Sequence, residues 1–311
     1  MSAEAAEIVV LGSLHLDVMV AAPRLPRPGE TLPGSAMTLA CGGKGGNQAV
    51  AASRHGARVA MIGCVGQDAF GERLLANLVQ EGVAARHVRR IAAAGSGSSV
   101  ALVDPAGEYG AVIVSGANLA LGAQDVAEAE ALFTGARVLL LQNEVPEAAN
   151  LAAARRGAAA GATVVLNAAP ARELPAELAA AVDVLVVNAI EAEMLGAGAV
   201  ATLADAARAA RMLAARVKVA IVTGGGAGVA VHGGPAAFML PAHEVNVVSS
   251  HGAGDAFLGA LAARLARGEG LAEAVRYANA AAALLVATPA EQRARLRSDD
   301  VLRLVGMQSA S

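Results

Sequence analysis

The sequence predicts an α/β protein of the doubly wound, Rossmann-like kind, with a mostly parallel sheet and a small second β-sheet. Three observations predict it. Short β-branched runs alternate with long Ala-rich stretches of helical pattern. The runs are apolar on both faces, as strands sandwiched between two helix layers are. Small or polar residues follow directly after nearly every run.

Taken in order, strands are predicted at 8–11, 59–62, 138–141, 163–166, 184–187 and 219–222, and helices at 46–54, 71–80, 146–160, 203–215, 253–266 and 271–286. Two stretches break the rhythm. Residues 18–39 are rich in Pro and Gly with short extended pieces, and 98–115 reads as two strands around a turn at 105–107. Neither carries a helical pattern, and both suit a second sheet projecting from the main body. No linker, low-complexity tail or fixed-period repeat divides the chain.

Composition bounds the function. Of 311 residues, 55% are hydrophobic but only 2% aromatic, so Ala, Val and Leu must fill the core and no stacking platform for single-stranded nucleic acid is available. A net charge of −3 argues against a nucleic-acid partner held by counterion release. Arg293, Arg295 and Arg297 form the one basic cluster, read as solvated surface. Two cysteines, Cys41 and Cys64, are expected as reduced thiols in a cytoplasmic protein. The acidic N-terminus lacks a basic n-region, and no apolar run reaches the roughly 20 residues of a membrane span.

In open α/β sheets ligands gather outside the carboxyl ends of the strands. Here those ends carry Gly12, Ser13 and Asp17; Gln142, Asn143 and Glu144; Asn167; Asn188 and Glu191; and Thr223 with a glycine loop. Five such ends on one side of a sheet read as an active-site rim. The run Gly42-Gly43-Lys44-Gly45-Gly46-Asn47 opens a helix and is not a Walker A loop, because the preceding glycine and the following Ser or Thr are missing. Gly224-Gly225-Gly226-Ala227-Gly228 does not fit G-x-G-x-x-G, which removes the case for a nicotinamide-dependent oxidoreductase. Gly252-Ala253-Gly254-Asp255 opens another helix. Small residues there leave amides free to converge on a phosphate, and the carboxylate beside them is placed to act as a general base.

These residues together resemble the ribokinase-like family of carbohydrate and nucleoside kinases from about residue 8 to 287. The signatures are residues 42–49 (GGKGGNQA) and 252–255 (GAGD), with Asn167-Ala168-Ala169-Pro170-Ala171-Arg172 and the N-x-x-E of Asn188 and Glu191 between them. The resemblance implies one kinase domain over 1–311, its lid formed from about 15–42 and 98–116, and ATP-dependent transfer to a primary hydroxyl, with ribose giving ribose 5-phosphate as the default. It implies Asp255 as base and Gly252, Ala253 and Gly254 as anion hole. Asp17, Gly43, Lys44, Asn47 and Glu144 would hold the acceptor, with His15 beside them where the family usually has asparagine.

Asn188 would act near the phosphates, and Glu191 through Mg2+ and its waters. Thr223, Gly224, Gly225, Gly226 and Gly228 would line the ATP site, with Asn279 near the adenine. The family's lid often forms a homodimer. Its aspartate for an activating monovalent cation (K+) is replaced here by Ser249, and 288–293 lacks the usual glycine pattern, which weakens the expectation of a potassium site. His251, before the anion hole, is also unusual. A nucleoside kinase and a non-catalytic sugar or nucleotide sensor are the competing readings. Phe70, Tyr109 and Phe133 are the aromatics on which a nucleobase would have to stack.

Overall fold

A computed structural model describes residues 6–105, 109–234 and 237–308. The apex of the expected turn at 106–107 and the segment 1–5 lie outside these residues.

The expected sheet forms, and each expected strand is present, most of them extended by one residue into the polar position that follows. Strands β1 (Ile8–Leu11), β2 (His15–Ala21), β3 (Ala36–Gly42), β4 (Val59–Gly66) and β5 (Val83–Ile91) come first. Strands β6 (Gly97–Val103), β7 (Tyr109–Val114), β8 (Val138–Gln142) and β9 (Thr163–Asn167) follow. The last are β10 (Val184–Asn188), β11 (Val219–Thr223), β12 (Val229–Gly233) and β13 (Phe238–Leu240). The nine-stranded sheet has the order β13-β12-β11-β10-β9-β8-β1-β4-β5. It is parallel from β11 to β5, and β12 and β13 add an antiparallel edge.

Strands β1, β4 and β8 are buried along their whole length, as a sheet covered on both faces requires. Two apolar clusters, one on each face, make the core. After β1 the chain builds outward through β4 and β5, then returns to the other side of β1 with β8. The crevice between the ends of β1 and β8 is therefore the topological switch point, where an open α/β sheet offers its ligand site.

The two irregular stretches form the smaller sheet, order β3-β2-β6-β7. In this sheet Met37, Val112 and Ile113 are each more than 60% exposed. Among the described residues no helix is long and apolar enough to cross a membrane, and both cysteines are free.

Candidate active site

The helix Lys44–Arg54 starts two residues earlier than the pattern predicts. Its first-turn N–H groups have no carbonyls within the helix and no side-chain cap at Gly43, so the ends of β1 and β8 supply partners instead. Lys44 N–H donates to Glu144 Oε2 (2.9 Å), Gly45 N–H to Ser13 Oγ (3.4 Å) and Gly46 N–H to the Ser13 carbonyl (2.9 Å). Ser13 Oγ in turn donates to Glu144 Oε2 at 2.5 Å. The approach is close enough that a Cβ on Gly45 would lie 2.6 Å from Ser13 N, which is why glycine stands there. The glycine signature is thus a helix start pressed onto the switch point.

The helix Ala253–Ala266 starts from Gly252, whose φ of 82° only glycine adopts easily. This helix crosses Lys44–Arg54 at Gly259, where an added Cβ would come within 2.4 Å of Ala51 Cβ and 2.7 Å of Ala52 N. One helical turn before that contact on each partner lie Asp255, Asn47 and Gln48. Asn47 Nδ2 donates to Asp255 Oδ2 and Gln48 Nε2 to Asp255 Oδ1, both at 3.0 Å. Gln48 is itself fixed by Asn167 Oδ1 (3.1 Å) and by Gln142 Nε2 (3.0 Å), both at strand ends. The carboxylate is held by both oxygens.

Asp255 is enclosed by protein except where its side chain meets two cavities. Burial raises its pKa above the usual aspartate range, while the Lys44 charge and the Gln48 and Asn47 donors pull it back down. The first cavity, about 310 Å³, is lined by Asp17, Gly42, Asn47, Asp255 and the loop at His251 and Gly252. The second, about 200 Å³, is lined by Lys44, Asn188, Glu191, Thr223 and residues 250–255. Asp255 stands between them. In the second cavity the N–H groups of Gly254 and Asp255 lack intrahelical acceptors by position, whereas Ala253 N–H turns back to the Ser250 carbonyl at 3.2 Å. Nothing lies within 4 Å of where a Gly254 Cβ would sit, so that residue borders open space.

The expected site residues separate across these cavities. Asp17, steadied by the Ser99 hydroxyl from the smaller sheet, lies with Asn47. Lys44 lies on the side of Glu191 and Thr223 instead of beside Asp17. His15 and Glu144 face a third cavity of about 380 Å³, with His15 Nδ1 3.9 Å from Glu144 Oε2 and the buried His15 Nε2 unpartnered. Gly43 lines none of the three.

Asn188 and Glu191 form a reciprocal capping box, each accepting from the other's backbone N–H at 2.8 Å. The N-x-x-E pattern has a structural role that sequence reading missed. Burial raises the Glu191 pKa, and its carboxylate borders the second cavity. Gly224, Gly225, Gly226 and Gly228 make the tight turn from β11 to β12 beside Thr223, closed by Gly224 N–H to the Gly228 carbonyl at 2.7 Å. Asn279 donates to the Pro241 carbonyl (2.9 Å), tying down the segment that leads to the anion hole, and lines none of the three cavities. Phe133 is fully buried in the core, so it is unavailable to stack a base; the Tyr109 side chain lies outside the described residues.

Arg293 corrects the reading of its cluster as solvated surface. It is half-buried and donates to three carbonyls, those of Ser249 and His251 just before Gly252 and that of Thr288 at the end of the helix Leu271–Ala287.

A fixed carboxylate between a carboxylate- and amide-lined cavity and an amide-lined anion cavity defines a phosphotransferase acting on an alcohol group. The pfkB family carbohydrate kinase model matches residues 5–296, and the chain belongs to that family. It is 35% identical to the ribokinase of Haemophilus influenzae over 280 residues, 90% of this chain and 92% of that protein. It is 34% identical to a deoxyribokinase of Salmonella typhi over 258 residues, 82% of this chain and 84% of that one. The Arabidopsis thaliana ribokinase complexed with ribose and ATP superposes with a TM-score of 0.90 at 29% identity, over 97% of this chain and 99% of that one. The predicted family and fold hold, and so does the carbohydrate-kinase activity.

Proposed function

We propose that the protein transfers the γ-phosphoryl group of ATP to the primary hydroxyl of ribose, giving ribose 5-phosphate and ADP. One observation carries the reading: Asp255, oriented by Asn47 and Gln48, borders both cavities. The sugar occupies the first, where the Asp17 carboxylate accepts two neighbouring hydroxyls. The triphosphate occupies the second, along Thr223 and the 224–228 turn.

Asp255 takes the hydroxyl proton as the sugar oxygen bonds to the γ-phosphorus and the bond to ADP breaks. The amides of the late helix and the Lys44 ammonium hold the charge that spreads over the transferred oxygens. Among the described residues no three acidic, His or Cys side chains cluster to cage a metal ion. Glu191, whose carboxylate borders the second cavity, would hold Mg2+ through the ion's waters, and the ion would supply positive charge against the phosphates. The smaller sheet would close over the sugar as a lid. Its exposed Met37, Val112 and Ile113 would pair with a second copy, and an ATP-consuming sugar kinase belongs in the cytoplasm.

With Phe133 in the core, one of the three aromatics on which a nucleobase would have to stack is removed, which favours a free sugar over a nucleoside. The test is 31P NMR of the protein with MgATP and, in turn, ribose, 2-deoxyribose, fructose and nucleosides. Ribose 5-phosphate formed fastest is the expected result. Nucleosides turning over while ribose does not would replace it with a nucleoside kinase, and no turnover with any acceptor would favour a sensor.

A further inference from the structure

The turn that presents the anion hole is built around a cation of the protein's own. Arg293 Nη1 donates to the His251 carbonyl (2.8 Å), Nη2 to the Ser249 carbonyl (2.8 Å) and Nε to the Thr288 carbonyl (2.9 Å). Two of these oxygens belong to the three residues before Gly252. The third is the C-cap of the helix Leu271–Ala287, the negative end of its dipole.

The two segments are also stitched directly, since Val248 and Ser249 N–H both reach the Val286 carbonyl, at 2.8 and 3.2 Å. No carboxylate lies within ion-pair distance of Arg293 among the described residues, and its guanidinium is held by carbonyl oxygens instead. Three carbonyls from two elements aimed at one point create a site for positive charge, as they do around a bound ion. Here the charge arrives on a side chain.

The same residues fail as a potassium site. Ser249 stands where the family's cation-binding aspartate is expected, and the carbonyls of Ser249, His251 and Thr288 already accept from the guanidinium. We propose that Arg293 is a positioning residue that serves as a tethered monovalent cation, fixing the anion-hole turn so that this kinase turns over without potassium. A guanidinium on a short loop is present at every potassium concentration, so the turn keeps its shape whatever the salt.

The inference rests on phosphoryl transfer at the 252–254 turn, and its test separates from that reading because it asks about cation response in an enzyme already shown to turn over. Rates are followed by 31P NMR, so that no coupling enzyme's own cation requirement intervenes, at constant ionic strength in potassium, sodium or tetramethylammonium chloride. The wild-type kcat is expected to agree within about twofold across the three salts. Activation by potassium of about tenfold or more would overturn the proposal.

Arg293→Ala is expected to lower kcat at least about tenfold with the ribose KM within about threefold, and millimolar methylguanidinium should restore at least about threefold. Arg293→Lys should fall between alanine and wild type. An alanine variant with wild-type kcat, or one that folds but ignores methylguanidinium, would contradict the role. Should that variant not fold, the salt series on the wild type still decides.

Discussion

The acceptor side and the nucleotide side of the site are built differently. On the acceptor side the work falls to side chains. Asn47, Gln48, Asn167 and Gln142 form a chain of hydrogen bonds ending on Asp255, and Ser99 steadies Asp17. On the nucleotide side the surfaces are backbone and open space: the late helix start, the 224–228 turn, and a capping box in which Glu191 serves its own helix. A sugar is recognised by hydroxyl directions, which need fixed, directional partners. A triphosphate is recognised by charge, which amides and a lysine supply without close fit. Damage on the acceptor side should therefore cost the chemical step and sometimes the fold, whereas damage on the nucleotide side should cost nucleotide affinity.

The sharpest break is Asp255→Asn, which should lower kcat by about 10³-fold or more while ATP binding, read by calorimetry, stays within about threefold. The variant should be at least as stable as wild type near pH 7.5 by thermal melting. A carboxyl whose folded-state pKa is raised stabilises the fold below the unfolded value and loses that contribution as pH rises through the folded value. At neutral pH the ionised group is a cost to stability, which the amide removes.

Next comes Gly259→Val. Its side chain has no room against Ala51 and Ala52, so the helices must part and pull Asn47 and Gln48 away from the base. Overpacking of this kind costs about 1–3 kcal/mol, so the melting temperature should fall and kcat with it, by about 10²-fold.

Gly254→Ala should do the opposite, leaving the melting temperature unchanged because its Cβ meets nothing within 4 Å. The methyl group enters the space given to the phosphates and should lower kcat/KM for ATP by about tenfold. A drop in melting temperature without that kinetic loss would mean the space belongs to the fold. Smallest is Glu191→Gln, expected to raise the Mg2+ concentration for half-maximal rate a few-fold with the melting temperature little changed, because glutamine can complete the same reciprocal cap.

Much of this was legible in the sequence because strand ends are punctuated. Each buried apolar run stops at a small or polar residue, and the fold lines those residues up on one rim, where Gln142 and Asn167 are buried but hydrogen-bonded. Strand β5 escaped because its V-A-A-R-H-V-R-R-I run alternates irregularly at a sheet edge, with only Val83, Val88 and Ile91 buried. The start of the first signature helix was hidden by glycines of poor helix propensity, whose missing capping is supplied from Ser13 and Glu144 at the two strand ends.

What could not be read was direction. The resemblance grouped Lys44 with Asp17 as a residue holding the acceptor, whereas Lys44 lines the second cavity with Glu191 and Thr223. It also put Asn279 near the adenine; in the structure that side chain donates to the Pro241 carbonyl and lines none of the three cavities. Arg293 looked like surface because its partners are backbone carbonyls, which leave no trace in residue identity.

The claim that Asp255 is the base, held and tuned by two amides, is tested most directly by kcat against pH from about 4.5 to 8. The measurement is made at saturating MgATP and ribose, for wild type and Asn47→Ala. Removing the Asn47 donor takes away an interaction that lowers the Asp255 pKa. The acid limb of the variant should therefore move to higher pH, with kcat recovering toward its plateau above that limb. An acid limb that stays in place, or moves to lower pH, would show that the group titrating in catalysis is not the carboxylate that Asn47 holds.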